Sequence, residues 1–150
     1  MSSGCARGGG YDGCQAELLR VPQAEGTLVA LPEHPSRDLI PHVLTCSDVF
    51  LTGWHAAVSA GVAPGMTVAV VGDGAVGLSA VLAARELGAE RIIAMSRHEP
   101  RQRLARRFGA SDIIAERDQA GVDAVLELTD GIGADAVLEC VGTGPAMVQA

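Results

Sequence analysis

The run Gly72-Asp73-Gly74-Ala75-Val76-Gly77 has the spacing G-x-G-x-x-G, whose chemistry is to bring main-chain amides against a pyrophosphate. The first glycine permits a tight turn out of a strand, the second lets a phosphate approach the backbone, and the third lets the following helix pack closely on the strand. Ala75 and Val76 then open that helix, where free first-turn amides and the positive end of the helix dipole make an anion site. Nineteen residues past Gly77, where an NAD-binding chain places an acid against the ribose 2′-hydroxyl, stand Ser96 and Arg97, with Arg101 close behind. A hydroxyl and guanidinium groups suit a 2′-phosphate through charge-assisted hydrogen bonds, so NADP is expected over NAD. The bland alternative is that these arginines, like Arg103, Arg106 and Arg107, form the solvated face of a helix.

A glycine pattern alone is weak, and its weight comes from the elements around it. Apolar periodicity predicts a strand over 67–71, a helix over 76–87, a strand over 91–95, a helix over 100–108, a short strand over 112–115, a helix over 122–129 and a strand over 136–141. A further crossover begins at Gly144. Strands separated by helices imply right-handed crossovers and a parallel sheet covered on both faces. The fold class is therefore α/β, a doubly wound Rossmann sheet of about four strands, incomplete at Ala150.

Upstream the pattern differs. Two short strands are expected over 15–21 and 27–31, separated by Gln-Ala-Glu-Gly, and such a pair cannot be stable alone. Pro32, Pro35 and Pro41 predict an irregular connection over 32–43. A helix should follow, capped by Ser47 or Asp48 and carrying Phe50, Leu51, Trp54 and Val58 at helical spacing. Pro64-Gly65 marks the candidate domain boundary.

Composition narrows the partners. Eleven arginines, no lysine and 18 acidic residues give a net charge of −7, which argues against nucleic acid and against a polybasic membrane patch. No apolar run reaches the length of a membrane span and the start lacks a signal-peptide core, so a cytoplasmic chain is expected. Cys5, Cys14, Cys46 and Cys140 form no CxxC pair and read as reduced thiols. His34, His42, His55 and His98 have no partner at metal-ligand spacing and read as surface or packing residues, with His55 nearest the cofactor side.

Several ordered motifs together resemble a known family: 67–77, the run Ala83-Ala84-Arg85-Glu86-Leu87-Gly88-Ala89-Glu90-Arg91-Ile92-Ile93, then Phe108-Gly109-Ala110-Ser111-Asp112, and Gly133 to Gly142. They resemble the zinc-dependent alcohol dehydrogenases of the medium-chain dehydrogenase/reductase superfamily, most of all the NADP-using bacterial members. The resemblance runs from about Asp12 to Gly144, whereas family members are more than twice as long. It implies that 1–45 is the tail of a GroES-like β-barrel catalytic domain, 46–63 an interdomain helix and 64–150 the first part of the dinucleotide domain. It places a zinc ligand at Asp48, for which the alternative is a plain helix N-cap. It also places cofactor contacts at Thr52 and, at the end of the fourth strand, at Cys140 and Val141. The other zinc ligands of the family are absent, and Cys5 would be at most a relic of its structural-zinc set.

The expected function is the NADP-binding part of an oxidoreductase that moves hydride between an alcohol or carbonyl compound and nicotinamide, with zinc in the full-length relative and no turnover by this chain alone. Two alternatives stand beside it. One is a zinc-free quinone oxidoreductase of the same superfamily. The other is a non-catalytic nucleotide-binding or interaction module whose open sheet edge pairs with another chain, which also makes a homo-oligomer an expected assembly.

Overall fold

A computed structural model describes residues 15–150. The chain divides into two compact units between Ser36 and Arg37. In the first, the only regular element among the described residues is a single helical turn, α1 (Ala24–Thr27). The two strands expected over 15–21 and 27–31 are not formed. The Gln-Ala-Glu-Gly stretch coils instead, with Gln23 left-handed and the Thr27 hydroxyl donating to the carbonyls of Pro22 and Gln23. Leu18 and Val29 are about nine-tenths exposed. An apolar run without a partner strand has no ladder to join, so alternation alone does not make it extended. Cys5, Tyr11, Asp12 and Cys14 lie outside the described residues.

The second unit carries α2 (Ile40–Thr45), α3 (Val49–Ser59), β1 (Thr67–Val71), α4 (Ala75–Glu86), β2 (Arg91–Met95), α5 (Glu99–Phe108), β3 (Asp112–Ile114), α6 (Asp118–Leu128), β4 (Ala136–Glu139) and α7 (Gly144–Gln149). The irregular connection expected over 32–43 is thus corrected at its end. Pro41 lies in the first turn of α2, where its missing N–H costs nothing because that donor has no helical partner anyway.

The four strands are all parallel in the order β3-β2-β1-β4. This is the α/β doubly wound arrangement expected from the alternation of elements. Side-chain alternation on the central strands builds two cores. Val68, Val70, Ile92 and Ala94 point to one face, where they meet Ala80, Val81 and Ala84 of α4 and Ala105 of α5. Val71, Ile93 and Met95 point to the other, against Val125 and Leu128 of α6 and Ala146 of α7. Asp135 fixes the register at the base of the β1–β4 pair: its carboxylate accepts from the Thr67 amide at 2.8 Å while its own amide donates to the Thr67 carbonyl at 2.9 Å.

Glycine allows two close helix contacts that periodicity does not reveal. A Cβ on Gly53 of α3 would lie 2.6 Å from the Ala80 amide nitrogen, so α3 can sit on α4 only through a hydrogen at this position. Helix α6 starts four residues before the expected 122 because Gly121, a breaker by composition, is buried within it. A Cβ there would meet Met95 Cε at 2.8 Å.

Candidate functional site: the carboxyl ends of β1, β2 and β4

Strand order reverses beside β1. Successive crossovers carry the chain from β1 out to β3, and then β4 returns to the opposite side of β1. In open α/β sheets, ligands bind beyond the carboxyl ends of the strands at such a switch point. A cleft lies there, lined by Gly72, Ser96, Arg97, Glu116, Arg117 and Val141 among others.

The three glycines of the turn have three different surroundings. Gly72 has φ +110°, and a Cβ on it would stand 2.8 Å from Val141 Cγ2. A Cβ on Gly77 would stand 2.1 Å from the Gly72 carbonyl oxygen, closer than any real contact, so the first turn of α4 lies directly on the turn that leaves β1. Over Gly74 there is nothing within 4 Å. Its φ of −73° is open to any residue, so only an approaching ligand gives this glycine a purpose. Gly74 is the N-cap of α4, and the first helical bond runs from the Leu78 amide to its carbonyl at 2.9 Å. The amides of Ala75, Val76 and Gly77 precede that bond and have no helical acceptor, which leaves donors and dipole for an anion. These residues fit the pyrophosphate of a dinucleotide.

At the end of β2 the structure adds a residue that sequence reasoning missed. Asp73, inside the glycine turn, is only 7% exposed and reaches the end of the neighbouring strand. Its Oδ2 accepts from the Ser96 hydroxyl at 2.9 Å and its Oδ1 from Arg101 Nη1 at 2.9 Å. Burial pushes the Asp73 carboxyl up, but hydrogen bonds from Arg101 and Ser96, the Arg101 charge and the His98 main-chain amide outweigh it and hold the group below the ordinary aspartate value. The signal was present as an acid between the first two glycines facing a strand end that lacks one of its own.

Asp73 changes the reading of two expected contacts. Ser96 is 2% exposed and its hydroxyl is already committed to Asp73. Its place in the cleft is therefore not that of a free donor to a phosphate. Arg101 is paired with Asp73, leaving half its side chain exposed. Arg97 remains exposed, lines the cleft and makes no ion pair among the described residues. The loop carrying it is fixed from below, since Gln102 Nε2 donates to the Ser96 carbonyl at 2.7 Å.

The β4 side is closed by another residue without an expected role. The Glu139 carboxylate accepts from the Val141 amide at 2.7 Å and the Gly142 amide at 3.0 Å, holding the strand exit against Gly72. Cys140 donates to the β1 carbonyl of Val71 through its amide. Burial, and secondarily the Glu139 charge, push its thiol up to about 11. A thiol that far above neutrality is a poor nucleophile. Quantitative alkylation at pH 8, followed by peptide mapping, should therefore label exposed Cys46 well before Cys140. Equal labelling of the two would show that Cys140 is not shielded.

Asp48 and Thr52 lie apart from this cleft in sequence and are both exposed. The Thr52 hydroxyl is 2.9 Å from the Asp48 carbonyl oxygen and 3.2 Å from its Oδ1. Asp48 sits at the N-cap of α3 but makes no side-chain cap bond, so the capping alternative is not realised in this geometry. Among the described residues no three His, Cys, Asp or Glu side chains gather as a metal site. Residues 15–150 thus do not supply the donor set a zinc ion needs. His55 lies within 3.3 Å of the Ser59 hydroxyl and His34 within 3.0 Å of the Pro35 carbonyl, both local contacts. No helix among the described residues is long and apolar enough to cross a membrane.

Residues 75–150 match the zinc-binding dehydrogenase family. An alcohol dehydrogenase of Cupriavidus necator is 37% identical over 148 residues, covering 99% of this chain and 40% of that protein. The NADP-dependent isopropanol dehydrogenase of Entamoeba histolytica is 37% identical over 140 residues, covering 93% of this chain and 37% of that protein. Among solved structures, the alcohol dehydrogenase of Thermus sp. ATN1 superposes with a TM-score of 0.81 at 36% identity, covering 92% of this chain and 39% of that one. The chain therefore spans about two fifths of the length of these relatives. The glycine turn that opens α4, the parallel sheet behind it and the match over 75–150 lead to one conclusion: the chain belongs to the zinc-binding dehydrogenase family.

Proposed function

We propose that this chain is the dinucleotide-binding part of a zinc-type alcohol dehydrogenase, that it takes NADP in preference to NAD, and that the whole enzyme exchanges hydride between an alcohol or carbonyl compound and nicotinamide. The observation that carries the binding reading is the open space over Gly74 beside the tightly closed positions Gly72 and Gly77. A turn needed only for packing would not leave its central glycine facing empty space with three amides free behind it.

In this reading the amides of Ala75, Val76 and Gly77 hold the pyrophosphate, and Gly72, Cys140 and Val141 shape the wall between β1 and β4. When bound, the nicotinamide accepts or gives the hydride. The residues of this chain bind and orient the cofactor. NADP is supported by Arg97, which lines the cleft with no ion pair among the described residues, and by the cofactor named for the Entamoeba relative. Assignment of 1–45 to the catalytic domain, of Asp48 to a zinc site and of Thr52 to the cofactor belongs to the same proposal, and the lack of a metal donor set among the described residues is why turnover by this chain alone is not expected.

Titration of the chain with NADP and NAD tests the reading. Arg97→Ala should weaken NADP about tenfold, or about 1.4 kcal/mol, and change NAD by less than about twofold. Equal weakening of both cofactors would assign Arg97 to the solvated helix face.

A further inference from the structure

We propose that Asp73 is a specificity-setting residue of the dinucleotide site, which cancels the charge of Arg101 and takes up the Ser96 hydroxyl so that the 2′-phosphate is discriminated by Arg97 rather than by Ser96 or Arg101. The inference rests on the dinucleotide reading above and adds to it a carboxylate that works against the very preference its neighbours create.

Three observations carry it. First, the acid that an NAD-binding chain places at the end of its second strand is missing from β2, yet a carboxylate occupies that end all the same, delivered from the β1 turn with Oδ2 at 2.9 Å from Ser96 Oγ. Second, Arg101 lies near the N-terminus of α5, where the helix dipole disfavours a cation, and its guanidinium is held there by Asp73 at 2.9 Å. Third, Asp73 is buried while Arg101 is half exposed, so the pair presents its positive member toward solvent with its charge largely compensated. The charged residues lining the cleft are Arg97, Glu116 and Arg117, and the compensated Asp73–Arg101 pair joins it through the Ser96 hydroxyl.

A purely structural account also exists. His98, the N-cap of α5, makes no side-chain cap bond, and Asp73, bonded to the His98 main-chain amide and to Arg101, ties the start of that helix to the β1 turn. The two accounts differ in sign. A tie lost lowers stability and weakens both cofactors alike. A cancelling charge removed strengthens NADP alone.

The test measures NADP and NAD dissociation constants and melting temperatures of the 150-residue chain and its variants. Asp73→Asn keeps the shape and removes the charge, and it should tighten NADP about fivefold while moving NAD by less than about twofold. Arg101→Gln uncovers the Asp73 charge and should weaken NADP about tenfold, again with little effect on NAD. The double variant should return the NADP-to-NAD ratio to within about twofold of the parent. An unchanged or reduced ratio in Asp73→Asn, with NADP still bound, overturns the inference and leaves the dinucleotide reading standing. If Asp73→Asn lacks a cooperative melt, the Arg101→Gln arm decides, and an unchanged ratio there overturns it. Binding of neither cofactor by the parent chain overturns the dinucleotide reading and this inference together.

Discussion

Gly77→Ala is expected to cost about 3 kcal/mol or more of folding stability, although alanine is the better helix former. The propensity gain from replacing a helical glycine is at most about 1 kcal/mol. Against it stands a methyl group placed 2.1 Å from the Gly72 carbonyl oxygen. The obstructing atom is backbone, not the end of a flexible side chain, and it cannot retreat freely. Gly72 is itself held in a left-handed conformation at φ +110°, with Val141 against the place its Cβ would take. Relief would require α4 to lift from the carboxyl end of β1, disturbing the contacts of Ala80 and Ala84 with the sheet. For a domain whose whole stability is about 5–15 kcal/mol, such a loss approaches unfolding. Gly74→Ala is the matched control, because its added methyl meets no atom within 4 Å. It should leave the urea midpoint almost unchanged and weaken NADP and NAD together by tenfold or more, since the methyl stands where a pyrophosphate would approach. A Gly77→Ala midpoint close to the parent's would refute the packing role assigned to this glycine.

The contrast between these glycines shows what the sequence could and could not convey. Three evenly spaced glycines between an apolar strand and a helix predict the turn, and strands β1 and β2 occur at their expected residues. Those signals are local, set by period and by glycine's missing side chain. The contacts that distinguish the site are not local. Asp73 and Ser96 are separated by 23 residues and meet only because β1 and β2 pair in parallel with Val71 beside Met95. Glu139 was equally invisible as a clasp for Val141 and Gly142, since nothing in Leu-Glu-Cys-Val says that the carboxylate turns back to its own backbone. The failures upstream have a related cause. Residues 15–21 and 27–31 have strand-like composition, but a strand is completed by a neighbour, and the described residues of that unit provide none.

The second large effect concerns Ser96, where the obvious substitution now carries a different expectation. Placing an acid at the end of β2 should, by fold logic alone, convert an NADP site into an NAD site. Ser96→Asp instead sets a second carboxylate beside buried Asp73, in place of a hydroxyl that donates to it at 2.9 Å. Two carboxylates at that distance cannot both ionise cheaply away from water, and the donor they would share is lost. Arg101 offers one guanidinium, already used by Asp73. The expected outcome is a loss of about 3 kcal/mol at neutral pH and weaker binding of both cofactors, with no clean reversal of preference.

The pH dependence follows in sign. In the parent the Asp73 carboxyl is held low, so its contribution to stability is present above the unfolded aspartate value of about 3.9 and is lost as pH falls through the lower folded value. In Ser96→Asp one titration of the pair moves above the unfolded value. Its penalty is then absent when both carboxyls are protonated in both states and is complete once pH has risen past the folded value. The gap in melting temperature between parent and variant should therefore be widest near pH 8 and close toward pH 4. Ser96→Ala, which removes one hydrogen bond and adds no charge, should cost only about 1–2 kcal/mol and show no such widening. A gap for Ser96→Asp that stays constant from pH 4 to 8, or a variant as stable as the parent that binds NAD in place of NADP, would mean that Asp73 and residue 96 do not face each other in the folded chain.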